Sequence, residues 1–359
     1  MDVSLINAHG QGRCGPGGQR DGKSGVVVQR SPIIYELKNA ACLFTRASIR
    51  KEVDMSNMDR RQFIKTVSVA LGAAAFAEVV PVMAAEHKSE GTKGTKSGGS
   101  KQIYEVFALN YAGPVERKLA MIMFNTGWSE DISINYYIWA IRRKDGETTL
   151  VDTGTGPTLA KERNLKGFVP PEQLTDRLGI KPEQVTKVVI THMHFDHVGG
   201  MENFPQLFPK AKFYVQKKEF DFWIKSPIAK RAPFKGLQWG LGNKGLADLA
   251  KSPRLVVVDG DKVIGPDMEL LLTPGHTPGL QGVLVNTAKG PVVVASDSAH
   301  IARSFKEDVP SGLIVDMVTW MKSYDKLRSK APVENLFPGH DTLMLTNYPK
   351  VAEGITQLA

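Results

Sequence analysis

Three histidines and an aspartate crowd one hexapeptide, His192-Met193-His194-Phe195-Asp196-His197. Imidazole and carboxylate are the ligand set for zinc or iron where thiolates are missing. The only cysteines are Cys14 and Cys42, so a soft-ligand site is excluded beyond the first fifty residues. Along an extended or turning segment, residues i and i+2 point the same way. His192 and His194 can therefore share one metal, while Asp196 and His197, past the turn, face a second. Gly199-Gly200 permits a tight turn directly after them. Three more segments end an apolar run with a ligand-type residue: Thr273-Pro274-Gly275-His276, Val292-Val293-Val294-Ala295-Ser296-Asp297 and Phe337-Pro338-Gly339-His340. Four such ends imply one edge of a sandwich gathering a metal site.

The elements that must position these residues are legible in outline. Alternating or continuous apolar runs predict strands at 103–109, 118–123, 132–141, 148–152, 187–190, 212–215, 254–258, 269–272, 282–285 and 291–295. Pro170-Pro171 marks a helix start. Apolar residues at helical spacing predict a helix over 311–330. Many regularly spaced strands with helices at the margins imply an α/β sandwich.

The chain has 359 residues and a net charge of +9. Residues 1–101 carry 15 Lys+Arg against 9 Asp+Glu, and the remainder carries 31 against 28. The basic balance thus sits mainly in the first hundred residues, and composition gives no support for a nucleic-acid surface on the main domain. Residues 1–57, with Gly clusters and no hydrophobic period, read as a disordered leader or a mis-assigned start before Met58. Arg60-Arg61, a short alanine-rich run and Val82-Met83-Ala84 give 58–85 the pattern of a twin-arginine export signal, which implies a periplasmic or exported protein. That run is interrupted by Gly72, Glu78 and Pro81, so stable membrane insertion is not expected. Residues 86–101 read as a flexible linker, and 102–359 as one globular domain.

With these residues in place, 102–359 resembles the metallo-β-lactamase superfamily, and within it the N-acyl-homoserine lactonase group. The resemblance implies an α+β fold, a four-layer αβ/βα sandwich with the metal site at one edge of the two sheets. It also implies two Zn²⁺ per chain: His192, His194 and His276 on the first, Asp196, His197 and His340 on the second, and Asp297 bridging both. Asp152, in Val151-Asp152-Thr153-Gly154, matches the aspartate that orients a ligand histidine. Two divalent ions about 3.5–4 Å apart share a hydroxide at neutral pH, so no serine or cysteine nucleophile is needed. Asp196 can orient that nucleophile while ligating. In the lactonase group a tyrosine stands three residues after the bridging aspartate; here that position is His300, a candidate hydrogen-bond or proton donor.

The expected partner is a small-molecule lactone or ester, with a homodimer possible. The first expectation is a zinc lactonase opening N-acyl-homoserine lactones. Alternatives on the same fold are a thioester hydrolase of the glyoxalase II type, another ester, lactone or phosphotriester hydrolase, a mononuclear iron persulfide dioxygenase, and a binding module without catalysis. The aromatic stretch 219–250 is either a pocket wall or a packing face.

Overall fold

The described residues, 102–359 of a computed structural model, build thirteen strands. In chain order they are β1 (Tyr104–Lys118), β2 (Asp131–Arg143), β3 (Thr148–Val151), β4 (Val185–Val189), β5 (Lys212–Gln216), β6 (Leu255–Val258) and β7 (Lys262–Gly265). Then come β8 (Met268–Leu272), β9 (Gln281–Thr287), β10 (Gly290–Ser296), β11 (Leu336–Pro338), β12 (Lys350–Ala352) and β13 (Ile355–Gln357). The expected leader, signal and linker, 1–57, 58–85 and 86–101, lie outside the described residues.

Side-chain alternation decides which face meets what. Val106 and Ala108 of β1 and Tyr137, Trp139 and Ile141 of β2 enter one apolar cluster. Their neighbours Phe107, Leu109, Ile138 and Ala140 enter another. Both faces of these strands are therefore buried, which is why they read as unbroken apolar runs. The first cluster fills the space between two sheets, of order β12-β13-β1-β2-β3-β4-β5-β6 and β11-β10-β9-β8-β7. The second lies on the outer face of the larger sheet, where Leu174, Phe204, Phe208 and Leu246 cover it. A third puts Trp320, Tyr324 and Leu327 of the helix Met317–Lys330 on Val293 and Ala295, the outer face of the smaller sheet. Helix, sheet, sheet, helix is the four-layer order.

The two sheets are tied at one edge. Gln281 at the start of β9 donates through its backbone N–H to Thr191 O (3.0 Å) and through Nε2 to Ile190 O (2.8 Å). β3 and β4 run parallel, as do β10 and β11, so their C-terminal ends open on this same edge. Among the described residues no helix is long and apolar enough to cross a membrane.

Three expected elements differ. Residues 118–123 are not a strand: Lys118 closes β1, and Leu119–Ile122 forms one helical turn, with Met123 N–H donating to Leu119 O (2.7 Å). A strand would have buried alternate residues, whereas Leu119, Ala120 and Ile122 are buried and Met121 is exposed. β1 runs nine residues beyond the expected 103–109 because two register shifts carry its pairing with β2 through the polar stretch to Lys118. The helix expected over 311–330 begins only at Met317, where Asp316 accepts from Thr319 N–H (3.0 Å) as N-cap. In the preceding loop Val315 and Asp316 instead donate their backbone N–H groups to Gly275 O (2.9 and 3.0 Å).

Candidate metal centre

Nine sequence-indicated residues, His192, His194, Asp196, His197, His276, Asp297, His300, His340 and Asp152, come together at the tied edge. All are buried. His192 and His194 follow β4; Asp196 and His197 sit on the short turn Phe195–Val198; His276 follows β8; Asp297 and His300 follow β10; His340 follows β11.

His192, His194 and His276 form the first group. His194 Nδ1 lies 3.1 Å from His192 Nε2 and 2.9 Å from His276 Nε2. Their rings stand at 74–84° to one another, as donors converging on one point do. Asp196, His197 and His340 form the second group. His197 Nε2 is 3.6 Å and His340 Nε2 3.5 Å from Asp196 Oδ2. Asp297 faces both groups. Its Oδ2 lies 3.3 Å from His276 Nε2, and its Oδ1 lies 3.4 Å from His197 Nε2 and 3.2 Å from His340 Nε2.

The outward hydrogen bonds assign the tautomers. His276 Nδ1–H donates to Leu313 O (2.8 Å) in the loop before Met317–Lys330, and His340 Nδ1–H donates to Asn135 O (2.8 Å) on β2. His197 Nδ1–H donates to Asp152 Oδ2 (2.8 Å). The Thr191 hydroxyl donates to Asp152 Oδ2 (2.8 Å), so its oxygen accepts from His192 Nδ1–H (3.1 Å). Each of these four rings therefore turns Nε2 inward, the nitrogen left free to ligate. There they meet carboxylate oxygens and the Nδ1 of His194. His197 Nε2 and Asp297 Oδ1 have no hydrogen-bond partner at all. Converging imidazole nitrogens and carboxylate oxygens repel one another unless a cation or a proton sits among them, so the donor set fits divalent metal.

The metal-free protonation agrees. Burial holds His192 and His194 well below the ordinary histidine range, so they stay neutral. Burial also opposes charge on His197 and His340, yet Asp297 and Asp196 raise both, with Asp152 helping at His197. A proton on these rings is the chain's own substitute for a cation.

Backbone and neighbours hold the arrangement. Asp152, at φ +65° beyond β3, also accepts from Thr191 N–H (2.7 Å). A side chain at Gly339 would run into the Asp297 carboxylate, which gives the Pro-Gly-His segment its glycine. Sequence reasoning missed Glu219. Fully buried, it accepts from Met193 N–H (2.8 Å), Trp223 Nε1–H (2.6 Å) and Gly279 N–H (2.8 Å), clamping two ligand-bearing loops together. Trp223 in turn packs edge-on against His194, ring centroids 5.3 Å apart.

A cavity of about 210 Å³ opens over His194, Asp196, His276, Asp297, His300 and His340. Met121, Ile122, Ile134, Leu237 and Leu313 give it apolar walls. The aromatics of 219–250 are mainly packing: Phe222, Trp223 and Phe234 stack edge-on with centroids 4.9–5.9 Å apart, and of that stretch the cavity takes Leu237.

Residues 134–340 match the profile of the metallo-β-lactamase superfamily. The chain belongs to that superfamily. Its relatives include an N-acyl homoserine lactonase of Bacillus cereus, 25% identical over 232 residues, spanning 58% of this chain and 82% of that protein. Another, from Azorhizobium caulinodans, is 27% identical over 256 residues, 64% of this chain and 90% of that one. Among solved structures, a quorum-quenching N-acyl homoserine lactone lactonase superposes with a TM-score of 0.56 at 18% identity, covering 70% of this chain and 98% of that one. The dizinc quorum-quenching lactonase AidC gives 0.53 at 22% identity, covering 68% and 90%. At these identities the structural likeness speaks for the fold.

Proposed function

We propose that this chain is a dinuclear zinc hydrolase that opens lactone rings, with N-acyl homoserine lactones as the substrate class its relatives point to. The observation that carries the reading is the inward convergence of imidazole nitrogens and carboxylate oxygens around Asp297. In this reading His192, His194 and His276 would hold one ion, Asp196, His197 and His340 the other, with Asp297 between them. Bound divalent ions would supply Lewis acidity toward the ester carbonyl and a nucleophilic water at neutral pH.

The chain's own residues do the rest. Asp152 and Thr191 keep His197 and His192 in the ligand tautomer. The apolar walls at Met121, Ile122, Ile134 and Leu313 exclude bulk water from a bound ring. His300 lines the cavity with Nε2 3.5 Å from Asp297 Oδ2, and its Nδ1 has no partner. Burial holds its pKa well below the ordinary range, so it is neutral and carries a single N–H. That N–H can donate to the oxygen released from the ring.

Zinc-loaded full-length protein, offered homoserine lactones, γ-lactones, glutathione thioesters and a phosphotriester, should turn over the homoserine lactones fastest. A thioester or phosphotriester preference would replace this substrate assignment. His300→Phe should keep two ions per chain and lower kcat about a hundredfold, the scale of one lost donor to a developing oxyanion. Loss of an ion instead would make His300 a ligand, since it also lies within ligand range of Asp297 and His340.

A further inference from the structure

Two arginines stand in the cavity wall with no carboxylate to answer them. Arg117 comes from the end of β1, and Arg163 caps the helix Pro157–Glu162; both line the space above the candidate metal ligands. Arg117 Nη1 donates to Glu116 O (2.9 Å) and Nη2 to the Tyr136 hydroxyl (3.0 Å). Arg163 Nη2 donates to Gly236 O (3.0 Å), and its guanidinium lies 3.8 Å from the centre of the Phe195 ring. Neither makes an ion pair among the described residues. Arg142, Arg143, Arg177, Arg303 and Arg328 do, while Arg231 and Arg254, which also make none, lie outside the cavity.

The two are held, not loose. Stacking on Phe195 fixes the plane of Arg163, and the Tyr136 hydroxyl fixes one end of Arg117. Tyr136 packs edge-on against His340 at 5.3 Å, and Phe195 adjoins Asp196 in sequence. Each guanidinium therefore sits one aromatic side chain outward from a candidate metal ligand. A guanidinium has five N–H donors, and the contacts above use two on Arg117 and one on Arg163. The carboxylates that share the cavity, Asp196 and Asp297, are committed to the ligand set. What remains at the rim is two positive charges with donors to spare.

Resting on the lactonase reading above, we infer that Arg117 and Arg163 select substrates carrying an anionic group one side chain's length from the scissile ester, so that the preferred substrate is an acidic lactone. Charge-assisted bonds from guanidinium to carboxylate are the stronger kind, and the fork geometry favours two-point capture. A neutral acyl chain would leave both charges unanswered.

Two matched lactones test this in zinc-loaded full-length protein: N-succinyl-homoserine lactone and its terminal amide, which differ only in charge. The carboxylate should be preferred by about tenfold or more in kcat/KM, mainly through KM, and the preference should shrink between 50 and 500 mM salt, as screening requires. The ring-opened products should show the same order in equilibrium binding by calorimetry. Because two bound cations would also attract an anion, the arginines are tested by replacement. In Arg117→Gln/Arg163→Gln the preference should fall below about threefold, in catalysis and in binding. Arg163 is exposed, so Arg163→Gln alone removes one charge without touching the core, and should give an intermediate ratio. Equal handling of the matched pair by the unmodified protein, or an undiminished ratio in the replacements, overturns the inference and leaves the lactonase reading standing. Absence of turnover on either lactone overturns the lactonase reading, and the inference with it.

Discussion

Asp297→Ala is expected to lower bound metal from two ions per chain to below one and to reduce kcat/KM by well over a hundredfold. Asp297 is the one carboxylate whose oxygens face both imidazole groups, with His276 at 3.3 Å on one side and His197 and His340 at 3.4 and 3.2 Å on the other. Loss of a residue that merely supports a ligand typically costs 10- to 100-fold, so removal of the shared ligand should exceed that range. His197 and His340 would also lose the anion that holds their protons in the metal-free chain, leaving buried positive charge against burial. Asp297→Asn separates shape from charge: it keeps the volume beneath Gly339 and should still lose metal. Metal content by elemental analysis, paired with kcat/KM, reads both effects. Near-normal activity in either variant would remove Asp297 from the centre.

Glu219 should show a comparable effect on stability from outside the ligand set. Its two oxygens accept three hydrogen bonds in full burial, from the 192–194 loop, the 276–279 loop and Trp223. Glu219→Leu strands those donors, and unsatisfied buried donors cost about 1–3 kcal/mol each before relaxation. A loss of about 3 kcal/mol in chelator-treated protein is therefore expected, measured by denaturant unfolding. Metal affinity, read by competition with a chromophoric chelator, should fall about 10–100-fold because His194 and His276 ride on the two clamped loops. Glu219→Gln should recover part of the affinity, since it retains one acceptor. Equal metal affinity in all three proteins would make the clamp structural only.

The candidate ligands were legible because they are local. Three histidines and an aspartate in six positions carry their own spacing, and His276, Asp297 and His340 each follow an apolar run closed by a turn. Unbroken apolar runs also exposed most of the sandwich, since β1, β2 and β10 bury both faces. What was not legible depends on partners far along the chain. Glu219 sits in Lys-Lys-Glu-Phe, which reads as a solvated helix face until Met193 and Gly279 fold against it. The turn at 119–122 and the loop at 311–316 contain enough apolar residues to pass for a strand and a helix. The loop was decided by tertiary bonds: Val315 and Asp316 N–H both donate to Gly275 O, and Leu313 O accepts from His276 Nδ1–H. Arg117 and Arg163 lie 46 positions apart in number and share a wall only because Tyr136 and Phe195 meet edge-on, ring centroids 6.4 Å apart.

Anomalous diffraction at the zinc edge, on crystals of zinc-loaded protein, asks the central question directly. Two peaks are expected in each chain, one enclosed by His192, His194 and His276, the other by Asp196, His197 and His340, with the Asp297 carboxylate touching both. A chain that shows no peak there, or a lone peak elsewhere, would contradict the dinuclear centre and the hydrolytic chemistry assigned to it.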